Sequence, residues 1–175
     1  MARNVEIKAR LCPESLVACR QRAAAIADQG PLELVQRDTF FQSAVGRLKL
    51  REIEGDSSEV IFYHRPDQLG PKLSDYRRLR CSNPQEWIDV LSQSNGCLGI
   101  VEKRRTVYFA GQTRIHLDEV TGLGEFLELE VVLEDHQSTA DGQQIAEQLL
   151  EQLQIEPDRL VDVAYLDLLK EDANR

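Results

Sequence analysis

The sequence predicts an α+β protein: an eight-stranded antiparallel β-barrel with a charged interior, packed on its outside by about four helices. Three observations predict it. Eight segments alternate apolar with polar residues at the period of two that belongs to strands, and most lie in adjacent pairs separated by turn residues. The polar half of that alternation is almost purely ionisable, with few of the Thr, Ser and Gln that commonly fill a solvent-facing strand. Four helical stretches need an apolar surface to lie on, and the apolar faces of the strands are the natural one. Eight antiparallel strands suffice to close a barrel, and closure turns the charged faces inward.

The first strand is "NVEIKARL" (4–11), where Asn4, Glu6, Lys8 and Arg10 alternate with Val5, Ile7, Ala9 and Leu11. Pro13 suits a first helical position, and the helix it opens runs to about Gln29, stopped by Gly30-Pro31. Four strands follow, "VQRDTFFQ" (35–42), "RLKLREI" (47–53), "EVIFYHR" (59–65) and "SDYRRLRC" (74–81), with turns at Val45-Gly46, Gly55-Asp56 and Pro66–Pro71. Asn83, Pro84 and Glu86 predict a helix start with a capping box, and Asn95-Gly96 its end. A long strand over about 98–110 turns at Gly111; "TRIHLDEV" (113–120) and "EFLELEVVL" (125–133) then form a hairpin across Thr121–Gly124. Two amphipathic helices, about 139–153 and 158–171, close the chain with Pro157 between them. No linker or change of composition interrupts the series, so one domain is expected over 1–175.

Composition narrows the function. With 42% hydrophobic and 29% charged residues the chain reads as globular, and no apolar run approaches the roughly 18 residues of a membrane helix. Charged residues begin at Arg3, which leaves no signal-peptide run, so a cytoplasmic protein is expected, a monomer or homodimer. Cys12, Cys19, Cys81 and Cys97 lack paired spacing; reduced, at least partly buried thiols are expected rather than a zinc site. The net charge of −9 argues against a nucleic-acid partner, yet basic residues cluster at 47–51, 77–80 and 103–105.

The inward faces would carry Asn4, Glu6, Lys8 and Arg10; Arg47, Lys49 and Arg51; Tyr76, Arg78 and Arg80; Lys103 and Arg105; Arg114, His116 and Asp118; and Glu128 and Glu130. An interior lined by about nine cations cannot stay dry, because burying unpaired charges is costly. It must hold water, a highly anionic ligand, or both. Carboxylates interleaved with the cations predict a divalent metal as well. Hard oxygen donors on one side and Arg and Lys forks on the other are what a polyphosphate–Mg²⁺ complex demands.

The segments "VEIKARL", "DTFF", "RLKLRE", "EKRRTVYF", "TRIHLDEVTGLGEFLELEVVL" and "VDVAYLDLL" resemble the CYTH superfamily, the triphosphate tunnel metalloenzymes, across essentially the whole chain. That family includes class IV adenylyl cyclases, thiamine triphosphatases and inorganic tripolyphosphatases, built on an eight-stranded barrel around a charged tunnel. The resemblance implies a triphosphate substrate and Mg²⁺ or Mn²⁺. It implies triphosphate contacts from Lys8, Arg10, Lys49, Arg51, Arg78, Arg80, Lys103, Arg105 and Arg114, and metal ligation by Glu6, Asp118, Glu128 and Glu130. Glu6 and Lys8 match the end of an ExExK signature and would position or deprotonate the attacking water. Asn4 stands where the first glutamate of that signature is expected, contributing an amide oxygen without charge. Hydrolysis of tripolyphosphate, thiamine triphosphate or a nucleoside triphosphate is the first expectation. Cyclisation of ATP to cyclic AMP is the alternative, and non-catalytic polyphosphate or nucleotide binding the third. Whether His64 or Arg65 faces inward stays open, and Tyr165 is expected on a core-facing helix stripe, a lid role being the alternative.

Overall fold

Strand pairing closes the sheet on itself in the computed structural model, which describes residues 2–64 and 71–173. The barrel strands are β1 (Ala2–Arg10), β2 (Gln29–Phe41), β3 (Arg47–Ile53), β4 (Ser58–His64), β5 (Lys72–Cys81), β6 (Cys97–Ala110), β7 (Thr113–Val120) and β8 (Gly124–Val132). They run antiparallel in the order β5-β4-β3-β2-β6-β7-β8-β1, and β1 closes the ring by pairing with β5 as well. Val5 shows the closure in one residue, opposite Val131 of β8 on one edge and Leu73 of β5 on the other.

Helices cover the outside: α1 (Pro13–Ile26), α2 (Pro84–Asn95), α3 (Thr139–Leu153) and α4 (Tyr165–Ala173). Val5, Ile7 and Ala9 of β1 and Leu127, Leu129 and Val131 of β8 form one apolar core with Cys19 and Ala23 of α1 and Ala146, Leu149 and Leu153 of α3. A Cβ on Gly142 of α3 would stand 2.7 Å from Val5 Cγ2 and 2.6 Å from Leu133 Cδ2, so a side chain there would hold the helix off the barrel. Ile88 and Leu91 of α2 pack over Phe41, Leu50 and Cys81. Helices bury much of the outward apolar faces, though Val35, Leu79 and Ile100 stay exposed, and the ionisable faces form the interior, as the alternation predicts.

Four local expectations are corrected. The first helix ends at Ile26 and β2 already begins at Gln29, so Gly30-Pro31 lies inside a strand, not at a helix stop. Pairing with β6 is irregular between Gln29 and Leu32, and there a proline without an N–H is tolerated. Asn83 makes no side-chain cap, so the expected capping box is missing and Pro84 opens α2; Ser138 and Asp141 do form one on α3. The segment read as one helix over 158–171 divides into a 3₁₀ turn (Pro157–Arg159), a short strand β9 (Leu160–Val161) and α4. Past the Glu6–Lys72 pair, among the described residues, Val161 and Leu160 pair with Lys8 and Ala9; tertiary pairing overrides the helical pattern. Finally Cys97, the first residue of β6, is exposed, whereas Cys19 and Cys81 are buried and Cys12 partly so; all four are free thiols. Among the described residues no helix is long and apolar enough to cross a membrane.

Candidate functional site

The inward faces enclose a cavity of about 410 Å³. Its α4 end is floored by apolar residues that share the inward parity: Phe40 and Val101 pack with Phe126, Val120, Tyr165 and Leu166. Tyr165 is buried in that apolar cluster, as a core-facing stripe predicts, and it closes the α4 end of the cavity.

Three ionic clusters stand on that floor. In the first, Asp38 of β2, 1% exposed, accepts from Lys49 at 2.9 Å and from Arg51 at 2.7 Å through each oxygen, with Lys103 at 3.5 Å. Register explains the meeting, since Asp38 lies opposite Arg51 on β3 while its neighbour Gln36 lies opposite Lys103 on β6. Burial pushes the Asp38 carboxyl up, but Arg51, Lys49 and Lys103 outweigh it and hold the group ionised, well below the usual carboxylate range. One carboxylate cannot satisfy three cations, and burial together with the Arg51 charge pushes Lys49 down to about 7 despite its bond to Asp38.

In the second cluster Asp118, fully buried, accepts both arms of the Arg105 fork at 2.6 Å and the Tyr165 hydroxyl at 2.8 Å. Burial, then the Asp118 charge, push the Tyr165 hydroxyl well up, so it stays a donor. The third cluster joins Glu128 and Glu130 of β8. Arg105 lies 3.5 Å and Lys8 3.9 Å from Glu128; Arg114 donates to Glu130 at 2.9 Å, and Asn4 Nδ2 donates to the same carboxylate. His116 sits between the two glutamates, 3.7 and 3.9 Å away, with burial and then Arg105 lowering its pKa. Burial raises the Glu128 carboxyl, but Arg105, His116 and Lys8 prevail and hold it well below its ordinary value.

Among the sequence-predicted residues, Glu6, Lys8, Lys49, Arg51, Arg78, Lys103, Arg105, Arg114, Glu128 and Glu130 line this one cavity. Arg10 does not: it is exposed, its guanidinium 4.9 Å over the Phe126 ring and 3.4 Å from the Leu123 carbonyl, past the cavity's floor. Arg80 is exposed near the far end of β5, where the strand has outrun the cavity. Arg47 pairs with Asp167 of α4 at 3.3 Å instead of entering the cavity. Asp118, expected among the metal ligands, keeps the inward parity but is fully buried under Arg105 and Tyr165 with both oxygens engaged, and does not line the cavity. His64 is exposed, edge-on to Phe62 at 5.0 Å, while its neighbour Tyr63 takes the inward place; Arg65 lies outside the described residues.

Sequence reasoning missed Asp38, Glu59 and Tyr63 and gave His116 no role, though all four face or brace the cavity. The signal for Asp38 was its parity with Gln36 and Phe40. Arg37 on the opposite face of the same strand concealed it, because charge on both sides hides which face is ionic.

Could a divalent cation fit? Glu6, Glu128 and Glu130 face the cavity as hard oxygen donors, and Asn4 Oδ1, beside Glu130, is buried without a hydrogen-bond partner. The donor chemistry suits Mg²⁺ or Mn²⁺. Glu128 and Glu130 as they stand are turned to internal cations, and among the described residues no group of three His, Cys, Asp or Glu side chains is arranged to hold a metal ion.

The CYTH domain profile matches residues 2–165. The chain belongs to the CYTH family. Solved structures share this CYTH fold at low identity. The PH1012 protein of Pyrococcus horikoshii superposes with a TM-score of 0.80 at 19% identity, over 95% of this chain and 99% of its own. A Vibrio parahaemolyticus protein named for adenylate cyclase gives 0.76 at 17%, over 95% and 97%. HpAC1 of Hippeastrum, for which a dominant triphosphatase activity is described, gives 0.68 at 14%, over 98% and 96%. No curated protein sequence matches the chain.

Proposed function

We propose that this CYTH protein hydrolyses a triphosphate bound inside its barrel, with Mg²⁺ or Mn²⁺ as cofactor. The observation that carries the reading is the Asp38 cluster. Lys49, Arg51 and Lys103 share one buried carboxylate, and burial first, then the neighbouring Arg51 charge, lower Lys49 to about 7. Around the whole cavity, seven cations face five lining carboxylates among the described residues, six with Asp118 beneath Arg105. A polyanion supplies the missing negative charge.

Each residue then has a role its geometry permits. The Arg51 and Arg105 forks suit bidentate contact with phosphate oxygens, and Lys49, Lys103 and Lys8 act as point charges between them. Asp38 and Asp118 aim the two forks. Glu6, Glu128 and Glu130, with the Asn4 amide oxygen, would hold the cation, which supplies charge neutralisation across the phosphate oxygens. Glu6 and Lys8 would position the attacking water. Such positioning and electrostatic stabilisation are most of what phosphoryl transfer requires. The triphosphatase activity described for HpAC1 supports this choice of reaction.

The test incubates the protein with tripolyphosphate, thiamine triphosphate and ATP, each with Mg²⁺ or Mn²⁺, and measures phosphate, pyrophosphate and cyclic AMP. Phosphate release that falls about 100-fold in Glu128→Gln is expected. Cyclic AMP with pyrophosphate would transfer the reaction to an adenylyl cyclase. Tight triphosphate binding without turnover would leave a binding protein.

A further inference from the structure

The cavity has two unlike ends. At the α4 end Lys8 and Lys103 are 5% exposed and the floor is apolar and closed. Exposure climbs toward the other end, to 31% for the Arg114 side chain, 45% for Arg78 and 49% for Leu32, which marks that end as the open mouth. The two sides of the mouth differ. Leu32 and Leu34 of β2, Ile53 of β3 and Val107 and Phe109 of β6 form one continuous apolar wall, with Leu32 directly opposite Val107 in the ladder. Tyr76 of β5 also lines the cavity. In the closed ring β5 lies four strands from β6 in either direction, so Tyr76 faces this wall from across the barrel.

An apolar wall inside an otherwise ionic cavity does nothing for phosphate. A hydrated polyanion loses solvation against leucine and valine and makes no hydrogen bond there. A flat organic ring gains from that wall, both by covering exposed apolar surface and by stacking toward Tyr76. The wall is continuous with the cationic interior: Leu34 lies opposite Arg105, and Gln36, two residues on, opposite Lys103.

We infer that the substrate is an organic triphosphate whose ring-bearing head group rests on Leu32, Leu34, Ile53, Val107 and Phe109 at the mouth. Its phosphates run inward past Arg105 toward Lys103 and Lys8. This rests on the triphosphate reading above and excludes inorganic tripolyphosphate as the preferred ligand.

Titration calorimetry of the full chain with ATP, thiamine triphosphate and tripolyphosphate, in EDTA to prevent turnover, tests it. Tripolyphosphate carries the greater charge, so a purely electrostatic tunnel would bind it most tightly. The apolar mouth reverses that order, with at least one organic triphosphate bound about tenfold more tightly. Leu32→Ser, at a half-exposed position, is expected to weaken the organic ligand about tenfold and leave tripolyphosphate within about twofold, which also verifies the fold. Phe109→Leu keeps the wall apolar and should cost much less. Tripolyphosphate bound as tightly as both organic ligands, or equal weakening of all three by Leu32→Ser, overturns the inference and leaves the triphosphate reading standing. Failure of the wild-type protein to bind any of the three, both in EDTA and with Mg²⁺ restored, removes both.

Discussion

Asp38 holds Lys49 and Arg51 by direct hydrogen bonds with Lys103 at 3.5 Å, and the cost of that crowding falls on Lys49. Its pKa drops from 10.5 to about 7, for burial first and the Arg51 charge second. The unfolded chain keeps the lysine proton up to about 10.5, whereas the folded protein releases it near 7. Between those values the unfolded state binds more protons, so this residue makes stability rise with pH across the window and level off below it. Urea midpoints measured from pH 6 to 10 should climb more steeply in the wild-type protein than in Lys49→Met, where this component is gone. Parallel profiles for the two proteins would show that Lys49 titrates normally. The same residue would regain its proton when a polyanion enters, which ties the local charge excess to the proposed ligand.

The short C-terminal elements act together as a cap. Lys8 donates to the Val163 carbonyl at 3.2 Å and lies 4.0 Å over the Tyr165 ring, Lys72 donates to the Asp162 carbonyl, and Arg47 pairs with Asp167. Cations from three barrel strands thus hold one segment across the barrel end. Inside it, the Tyr165 hydroxyl donates to buried Asp118 at 2.8 Å. Tyr165→Phe keeps the apolar packing on Phe126 but leaves one Asp118 oxygen with the Arg105 fork alone. A loss of about 1–3 kcal/mol is expected, read as a lowered urea midpoint with an unchanged slope. No measurable loss would mean that water replaces the hydroxyl and the cap is looser than its bonds suggest. Reading 158–171 as a single helix missed this arrangement, because nothing local to Leu160-Val161 records that Lys8 and Ala9 of β1 lie beside it as pairing partners.

For the whole molecule, closure through β1 makes the cavity wall one cooperative unit, so a ligand that fills it stabilises the entire fold. At a hundredfold excess over its dissociation constant a triphosphate should add about 2.7 kcal/mol. For a chain of this size that corresponds to roughly 5–11 °C in melting temperature. Differential scanning fluorimetry should show the shift with ATP or thiamine triphosphate and show it shrinking as salt rises, since the contacts are mainly ionic. An unshifted melting curve at every ligand concentration would argue against a triphosphate in the barrel.

Period-two alternation in "NVEIKARL", "RLKLREI" and "EFLELEVVL", with ionic residues on one side only, was sufficient by itself to predict a barrel with its charges inside. The reason is local: side-chain direction in a strand depends only on parity, and four helices leave the apolar parity one place to go. Ten of the predicted site residues meet in one cavity for the same reason. Where each strand ends relative to its neighbours is not local. Arg10 and Arg80 keep the inward parity but fall outside the cavity, and Asp118 is withdrawn behind Arg105, because strand stagger and the α4 cap set the cavity's two ends. Partner choice is likewise tertiary. Asp38 becomes the centre of three cations only when β3 and β6 flank β2, and the apolar mouth appears only when Leu32, Ile53 and Phe109 from three strands come to one wall.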